Sequence, residues 1–389
     1  MFIVYVGGMV FPSGNAAAQR VIANAIGMAE AGYSPILLGL SSGGDSETSE
    51  MTRLPSVSGF PTYQMRYPQS PIDWLQHLVS SQHIENLIME LGKVSVYAVI
   101  CYNMPAIASL RLLRFCRRYR IRFISDCTEW YAAEPGFRGL LKRVDTEMRM
   151  RVIIPAGRNV ICISRFLATY YEKRGCNVVV IPSLVDCRDP KWQRAYSPNE
   201  PRVLVYAGSP GFSGTKDRVD MVIKAVLLCN MKGYSCRLDV IGITREEYES
   251  KILGGRQTAD GFKERVHFFG RIPHEEVLAF VKRADFTIFA REVTRVSMAG
   301  FPTKLAESWA CGTPVITTDT SDIRSYLEPG VNGFIVDQCS IESFADVIEK
   351  ALTLPNSDLV DMHEFCFRNN SLDVSRFRHA LADFLASVR

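Results

Sequence analysis

Short runs rich in Val, Ile, Leu and Phe alternate along the chain with longer stretches in which apolar residues recur every third or fourth position. That alternation predicts βαβ units around parallel sheets. In the first half the strands fall near 2–6, 35–40, 96–102, 122–126, 159–163 and 178–182, with helices at 15–31 and 74–91 among the connections. A second series begins with a strand at 202–207, continues with a helix at 217–232, and adds strands near 236–241, 265–269, 286–290, 314–318 and 333–336. Between them, the polar stretch from Asp186 to Pro201, with Pro190, Pro198 and Pro201, breaks both periodicities and reads as a linker. The pattern divides the chain into a domain over 1–185, a second over 186–370 and a helical tail over 371–389.

A chain of 389 residues suits two cores rather than one. Apolar residues at 47% and charged residues at 22% give the balance of a soluble globular protein, and a net charge of +4 is too small to imply a polyanionic partner. Nucleic acid is a poor fit, because no continuous basic footprint or binding motif is present. The 11 cysteines are scattered, without the paired spacing that holds zinc. A reducing cytoplasm is the expected location, since neither a signal peptide nor a run of ~18 apolar residues is seen.

The richest chemistry lies between Arg291 and Pro314. Pro302 or Thr303 suits a helix start, and Gly312 with Pro314 suits its stop. Lys304 then sits in the first turn, where a cation opposes the helix dipole unless an anion is near, and Arg291 and Arg295 lie just upstream. A phosphate at that helix end explains the arrangement. Glu307, one turn deeper, can accept hydrogen bonds from a ribose diol. The alternative is a solvated Lys–Glu pair on a surface helix.

Two further loops can meet an anion. Gly208 to Asp217 follows a strand and precedes a helix, with glycines that let amides approach and Lys216 at the helix entrance, but it lacks the Gly-Lys-Ser/Thr triplet of a P-loop. The turn Gly7-Gly8 to Pro12-Ser13-Gly14-Asn15 opens the helix carrying Gln19 and Arg20, without the glycine spacing of a dinucleotide fold. Each alone reads equally as an ordinary βα turn. Together they describe a crevice for a diphosphate.

The succession Val266-His267-Phe268-Phe269-Gly270-Arg271-Ile272, Ala284-Asp285-Phe286-Thr287-Ile288-Phe289, Gly300-Phe301-Pro302-Thr303-Lys304-Leu305-Ala306-Glu307 and Gly312-Thr313-Pro314-Val315-Ile316 resembles the donor-binding domain of retaining glycosyltransferases of family 4. The first half resembles them more loosely, through Gly14, the helix after it and Ile163-Ser164-Arg165-Phe166-Leu167. The resemblance implies an α/β GT-B architecture of two facing Rossmann-like domains with a cleft between them, and a C-terminal helix that returns to the first domain. It further implies a retaining, hexosyltransferase-type enzyme that moves a sugar from a nucleotide-diphosphate sugar to a glycan or lipid-linked acceptor. The Phe-Pro-Thr-Lys form resembles a branch associated with bacterial capsule, O-antigen or exopolysaccharide assembly.

Carried over by position, Lys216 is the phosphate-binding lysine, Glu307 the ribose carboxylate, and Gly14 with Asn15 the N-terminal glycine loop. Gly208 and Thr303 belong to the donor turns, and Ile272 falls where main chain meets the base. Three positions depart from the family pattern. Ala299 replaces the first of its two glutamates, Gly211 stands where an arginine precedes the lysine, and the N-terminal histidine has no match, since Asp126-Cys127-Thr128-Glu129-Trp130-Tyr131 occupies that strand end. Lys304 or Arg291 is expected to stand in for the arginine, and Glu129, flanked by Asp126 and Trp130-Tyr131, to orient a sugar hydroxyl. Lys216, Lys304 and Glu129 are thus the catalytic candidates. Retention through front-face attack needs cations and amides around the leaving diphosphate, and since no Asp-x-Asp motif or other hard-cation site is visible, neither cofactor nor metal is implied.

Two basic segments, 111–120 and 137–143, interleave Arg and Lys with Leu and Phe. Such helices suit an anionic membrane face, which makes the protein peripheral at the inner face of the plasma membrane, or else the solvated side of a core helix. The rival functions are a nucleotide-sugar epimerase or hydrolase of the same architecture, or a non-catalytic sugar-nucleotide-binding protein.

Overall fold

The computed structural model describes residues 1–12, 16–41, 51–131, 136–211, 216–258 and 262–388. Two compact units emerge. The first comprises Met1–Asp186, Ala299–Phe301 and Asp373–Arg389, and the second Cys187–Met298 and Pro302–Leu372.

Among the described residues the first unit is built on eight strands: β1 (Phe2–Gly7), β2 (Ser34–Leu40), β3 (Met51–Val57), β4 (Phe60–Met65), β5 (Val96–Tyr102), β6 (Arg122–Cys127), β7 (Asn159–Cys162) and β8 (Asn177–Val180). Their order is β3-β4-β2-β1-β5-β6-β7-β8, parallel except for β3 against β4. The central strands β1 and β5 are almost wholly apolar because helices cover both sheet faces. Val4, Val6, Ile36, Leu38, Val99, Leu112 and Cys116 share one core cluster.

The hairpin β3–β4 escapes the alternation pattern, since Pro55 interrupts it and no residue of β3 is fully buried. Its signal is Ser58-Gly59, a two-residue turn with both φ angles positive. The single helix expected at 74–91 is instead two, Pro71–Val79 and Gln82–Glu90. The break falls at Ser80-Ser81, and the first begins early because Ser70 and Asp73 form a reciprocal capping box.

The C-terminal helix Arg378–Ser387 lies in the first unit against the helix Ala16–Glu30. Gly27 permits the approach, for a Cβ there would stand 3.1 Å from Leu381. The Tyr97 hydroxyl donates to the Leu385 carbonyl at 2.6 Å and Arg122 to that of Val388 at 2.9 Å.

The second unit holds a six-stranded parallel sheet among its described residues: β9 (Arg202–Ala207), β10 (Cys236–Ile241), β11 (Val266–Gly270), β12 (Phe286–Phe289), β13 (Val315–Thr318) and β14 (Gly333–Val336). Its order is β11-β10-β9-β12-β13-β14. The stretch read as a linker is packed onto this unit. Trp192 is buried, the Tyr196 ring stacks on His363 at 3.5 Å, and Asp285 accepts from the Tyr196 hydroxyl at 2.6 Å and from the amides of Asn199 and Val203 at 3.0 and 2.6 Å. Periodicity cannot reveal such a segment, because a single strap with aromatic anchors has no repeating face. Among the described residues no helix is long and apolar enough to cross a membrane.

Candidate active site

In the second sheet the chain leaves β9 toward β10 on one side, and the next neighbour on the other side is β12. This reversal is a topological switch point, where the carboxyl ends of neighbouring strands splay their loops apart and leave a crevice. Gly208 ends β9 and Arg291 follows β12, while the helix Thr303–Ala310 brings Lys304 and Glu307.

The centre of the crevice is a residue that sequence reasoning missed. Asp217 is buried and accepts from Arg291 Nε at 2.7 Å, from the Tyr206 hydroxyl at 2.9 Å, and from Lys304 Nζ in a short contact. Burial pushes its carboxyl pKa up, but Lys304 and Arg291 outweigh that and hold it well below the usual range. Lys304 responds oppositely. Burial, reinforced by Arg291 and only partly offset by Asp217, pulls its pKa down to about 8. The Lys304 ammonium also lies over the rings of Tyr206 and Phe289, at 4.4 and 5.2 Å from their centroids.

Backbone geometry explains Gly208. Its φ is +146°, and a Cβ would come within 2.8 Å of Lys304 Nζ, so a side chain there would displace the ammonium. Thr318, ending β13, fixes Arg291 by accepting from its amide at 2.9 Å and donating to its carbonyl at 2.8 Å. Thr303 opens its helix after Pro302, with no side chain capping the first turn. Lys216 is exposed beside Asp217, its amide bonded to the Pro210 carbonyl at 3.0 Å. The alternative of a solvated Lys304–Glu307 pair is not what forms. Lys304 is tied to Asp217, whereas Glu307 meets His274 at 3.2 Å. That contact raises the His274 pKa against the opposing effect of burial. His274 was not singled out in the sequence, although it lies two residues after Ile272, which is half-buried at the end of β11. Ile272, His274 and Glu307 therefore neighbour one another in chain or in space, beside the Asp217 cluster.

The first unit distributes its candidates differently. Gly14 and Asn15 lie outside the described residues. Arg20 and Asp126 are committed to each other: the guanidinium donates to the carboxylate at 2.7 Å and to the carbonyls of Ile181 and Pro182 at 2.8 Å each, and the Tyr5 hydroxyl completes the buried cluster. Asp126 is thus buried and engaged within the first unit. Glu129 is half-buried just beyond β6 and accepts from the Tyr131 hydroxyl. Its neighbour Trp130 is buried edge-on to Tyr170 and donates to Glu147 at 3.2 Å. Ala299 is buried, its carbonyl accepting from Ser164 Oγ at 2.8 Å. Among the described residues no group of three or more His, Cys, Asp or Glu is placed to hold a metal ion.

Structures similar along the whole chain include HepE from Anabaena in complex with UDP-glucose, at a TM-score of 0.65 and 15% identity, covering 100% of each chain. The catalytic domain of starch synthase IV from Arabidopsis thaliana, bound to ADP and acarbose, matches at a TM-score of 0.71 and 10% identity, covering 99% of each chain. At such identities the likeness establishes the fold alone, an α/β fold with two Rossmann-like parallel-sheet domains of the GT-B kind. A curated relative, the amylovoran biosynthesis glycosyltransferase AmsK of Erwinia amylovora, is 25% identical over 135 residues, which span 34% of this chain and 32% of that protein. Residues 192–364 match the family described as glycosyl transferases group 1. That range contains the strap from Trp192 onward, β9 to β14, and the whole Asp217 cluster, so the second unit carries a glycosyl transferases group 1 domain.

Proposed function

We propose that the protein is a retaining glycosyltransferase that moves a hexose from a nucleotide-diphosphate sugar to a glycan or lipid-linked acceptor in bacterial surface-polysaccharide assembly. The observation that carries this reading is the cluster in which Arg291 and Lys304 share the one buried carboxylate of Asp217 at a switch point. Two cations against one anion leave a positive site, and exposed Lys216 adds to it. An anionic ligand is what such a site attracts.

In this reading the donor diphosphate lies against Lys304, Arg291, Lys216 and the uncapped first turn of the helix from Thr303. Glu307, oriented by His274, receives the ribose hydroxyls, and Ile272 meets the base. The acceptor hydroxyl attacks the anomeric carbon on the face the diphosphate leaves. The bond from carbon to acceptor oxygen forms as the bond from carbon to phosphate oxygen breaks, and the acceptor proton passes to the departing phosphate oxygen. The protein supplies fixed positive charge where negative charge grows. Glu129 orients a hydroxyl of the transferred sugar or of the acceptor.

The segment 137–151 is proposed to rest on anionic lipid. Leu140, Leu141 and Val144 are exposed on the helix Phe137–Met148 beside exposed Lys142 and Arg143. The other basic helix, Ala106–Tyr119, buries Leu112, Leu113 and Cys116 in the core, which leaves its arginines as a solvated outer face.

The test is a panel of UDP-, GDP- and ADP-sugars, scored first by thermal stabilisation and then by product. A donor at 100 times its Kd stabilises by about 2.7 kcal/mol. Transfer to an added acceptor with the anomeric configuration kept supports the reading. Isomerised or merely hydrolysed donor supports an epimerase or hydrolase, and binding without turnover a non-catalytic protein.

A further inference from the structure

Among the described residues Arg149 is a buried cation with no hydrogen-bonded counter-ion. It opens the π-helical turn Arg149–Ile153 that continues the helix Phe137–Met148, and 4% of it is exposed. One Nη donates to the Asn103 carbonyl at 2.8 Å, whereas Nε and the second Nη have no hydrogen-bond partner among the described residues. A guanidinium held this way costs stability, because it leaves water without gaining an opposite charge. Such a group calls for a use that an apolar side chain of the same size cannot serve. Single π turns are also frequent where side chains are aimed for function.

Two short routes lead from Arg149 to Glu129. Asn103, whose carbonyl Arg149 holds just beyond β5, stands at a φ of +44°, and its side-chain amide donates to the Thr128 hydroxyl at 2.6 Å. Asparagine tolerates that left-handed backbone better than most residues do. Thr128 is itself buried and donates on to the Tyr102 hydroxyl at 3.3 Å, so the residue before Glu129 is fixed. The other route arrives from the far side: the guanidinium stands 5.5 Å from the centroid of the Tyr131 ring, and the Tyr131 hydroxyl donates to Glu129. Lys142 faces the same ring at 5.3 Å, so two cations act on one phenol. Burial and then Glu129 raise the Tyr131 pKa while Arg149 opposes them, and the phenol keeps its proton and remains a hydrogen-bond donor. Positive charge beside the ring polarises the O–H bond and strengthens that donation.

Glu129 is thus bracketed by Thr128 and Tyr131, and Arg149 reaches both. We infer that Arg149 is a positioning residue: from inside the first unit it holds the Glu129 carboxylate in one orientation, through Asn103 and Thr128 on one side and through Tyr131 on the other. The inference rests on the transferase reading, in which Glu129 orients a hydroxyl of the transferred sugar or of the acceptor. Arg149 itself meets no reacting atom.

The test is a double-mutant cycle on the full chain. Release of nucleoside diphosphate is followed for UDP-glucose, GDP-mannose and ADP-glucose, with octyl glycosides of glucose and N-acetylglucosamine as acceptor probes. Arg149→Met and Glu129→Gln should each lower kcat at least ten-fold, ~1.4 kcal/mol, while the Kd for free nucleoside diphosphate stays constant. The double variant should be no slower than Glu129→Gln alone, because Arg149 acts only through that carboxylate. Arg149→Lys, which keeps the cation, should recover most of the loss. Tyr131→Phe should slow the wild type several-fold and leave Glu129→Gln unchanged, and it carries the test if Arg149→Met does not fold. Since an unpaired buried charge contributes little to stability, the melting temperature of Arg149→Met should fall by no more than about 2 °C. Wild-type kcat in Arg149→Met, losses that multiply in the double variant, or an activity loss that follows a fall in melting temperature each overturn the inference and leave the transferase reading standing. Wild type that turns over none of the donors removes that reading, and the inference with it.

Discussion

Replacing Asp217 by Asn keeps the shape of the side chain and removes the charge that Arg291 and Lys304 share. The Tyr206 hydroxyl and the Lys304 ammonium can still donate to the amide oxygen, but the amide nitrogen then faces Arg291, donor against donor. The carboxylate is 1% exposed and its partners 8% and 13%, so water rescues little. Removing one member of a buried ion pair costs about 3–5 kcal/mol. At about 2–4 °C per kcal/mol for a unit of this size, the melting temperature should fall by roughly 6–20 °C. A nucleoside diphosphate brings anionic oxygens back to the two cations, so saturating UDP or ADP should narrow the gap between variant and wild type. Differential scanning fluorimetry at pH 6.5, with and without nucleotide, reads both quantities. A loss below about 2 °C would refute the argument that Asp217 neutralises this cluster. A gap that nucleotide leaves unchanged would show that the cations do not meet the diphosphate.

Lys304→Ala should lower kcat by about 10²–10³, as removal of one oxyanion-hole donor does, while Glu307→Ala should chiefly raise the Kd for free nucleoside diphosphate, because ribose contacts persist from ground to transition state. Steady-state kinetics with calorimetry separates the two. Because the Lys304 pKa is lowered to about 8, its charge is lost as pH rises through that value, so nucleotide affinity should fall above pH 8 in wild type and not in Lys304→Arg. In stability the sign is opposite: the cost of holding this ammonium in the fold is full below about 8 and disappears as pH approaches the unfolded value of 10.5. Binding to anionic vesicles should weaken as salt rises and should be reduced in Lys142→Glu with Arg143→Glu, measured by co-sedimentation. Glu129→Gln should cut transfer at least ten-fold, ~1.4 kcal/mol, with nucleoside-diphosphate affinity kept, and full activity would return Glu129 to a purely structural role beside Tyr131.

The inner strands were legible because parallel strands buried on both faces are continuous apolar runs, and the helices between them carry the period of one covered side. What escaped is what lacks a period. The strap that holds Trp192 and Tyr196 against the second unit is anchored by two aromatics and by Asp285, and nothing in its spacing distinguishes it from a loop. The Ser58-Gly59 turn was readable, but the strand before it contains Pro55 and has no fully buried residue, so neither alternation nor burial announced it. In the site, Gly208, Arg291, Thr303, Lys304 and Glu307 could be found from strand-end and helix-start logic. His274 and Asp217 could not, because what matters about each is a partner 33 or 87 residues away in the chain.

Asp217 changes what the cations mean. Read from the sequence, Arg291, Lys304 and Lys216 form a site that improves with every added charge. In the fold, two of them are taken out of water, and a buried ammonium beside a guanidinium gives up its proton unless an anion compensates. Burial and Arg291 pull the Lys304 pKa down to about 8, and Asp217 in contact opposes them. Without the carboxylate, that lowering would lose its main counterweight, and the positive charge Lys304 can offer a departing diphosphate would be weaker. Asp217 also sets its direction, because the short contact holds Nζ over Gly208 and the Tyr206 ring rather than toward Glu307. The cluster thus keeps a lysine charged, aimed and poorly hydrated before any ligand arrives, which is the preorganisation that lets a fixed charge act on a leaving group without first reorganising solvent.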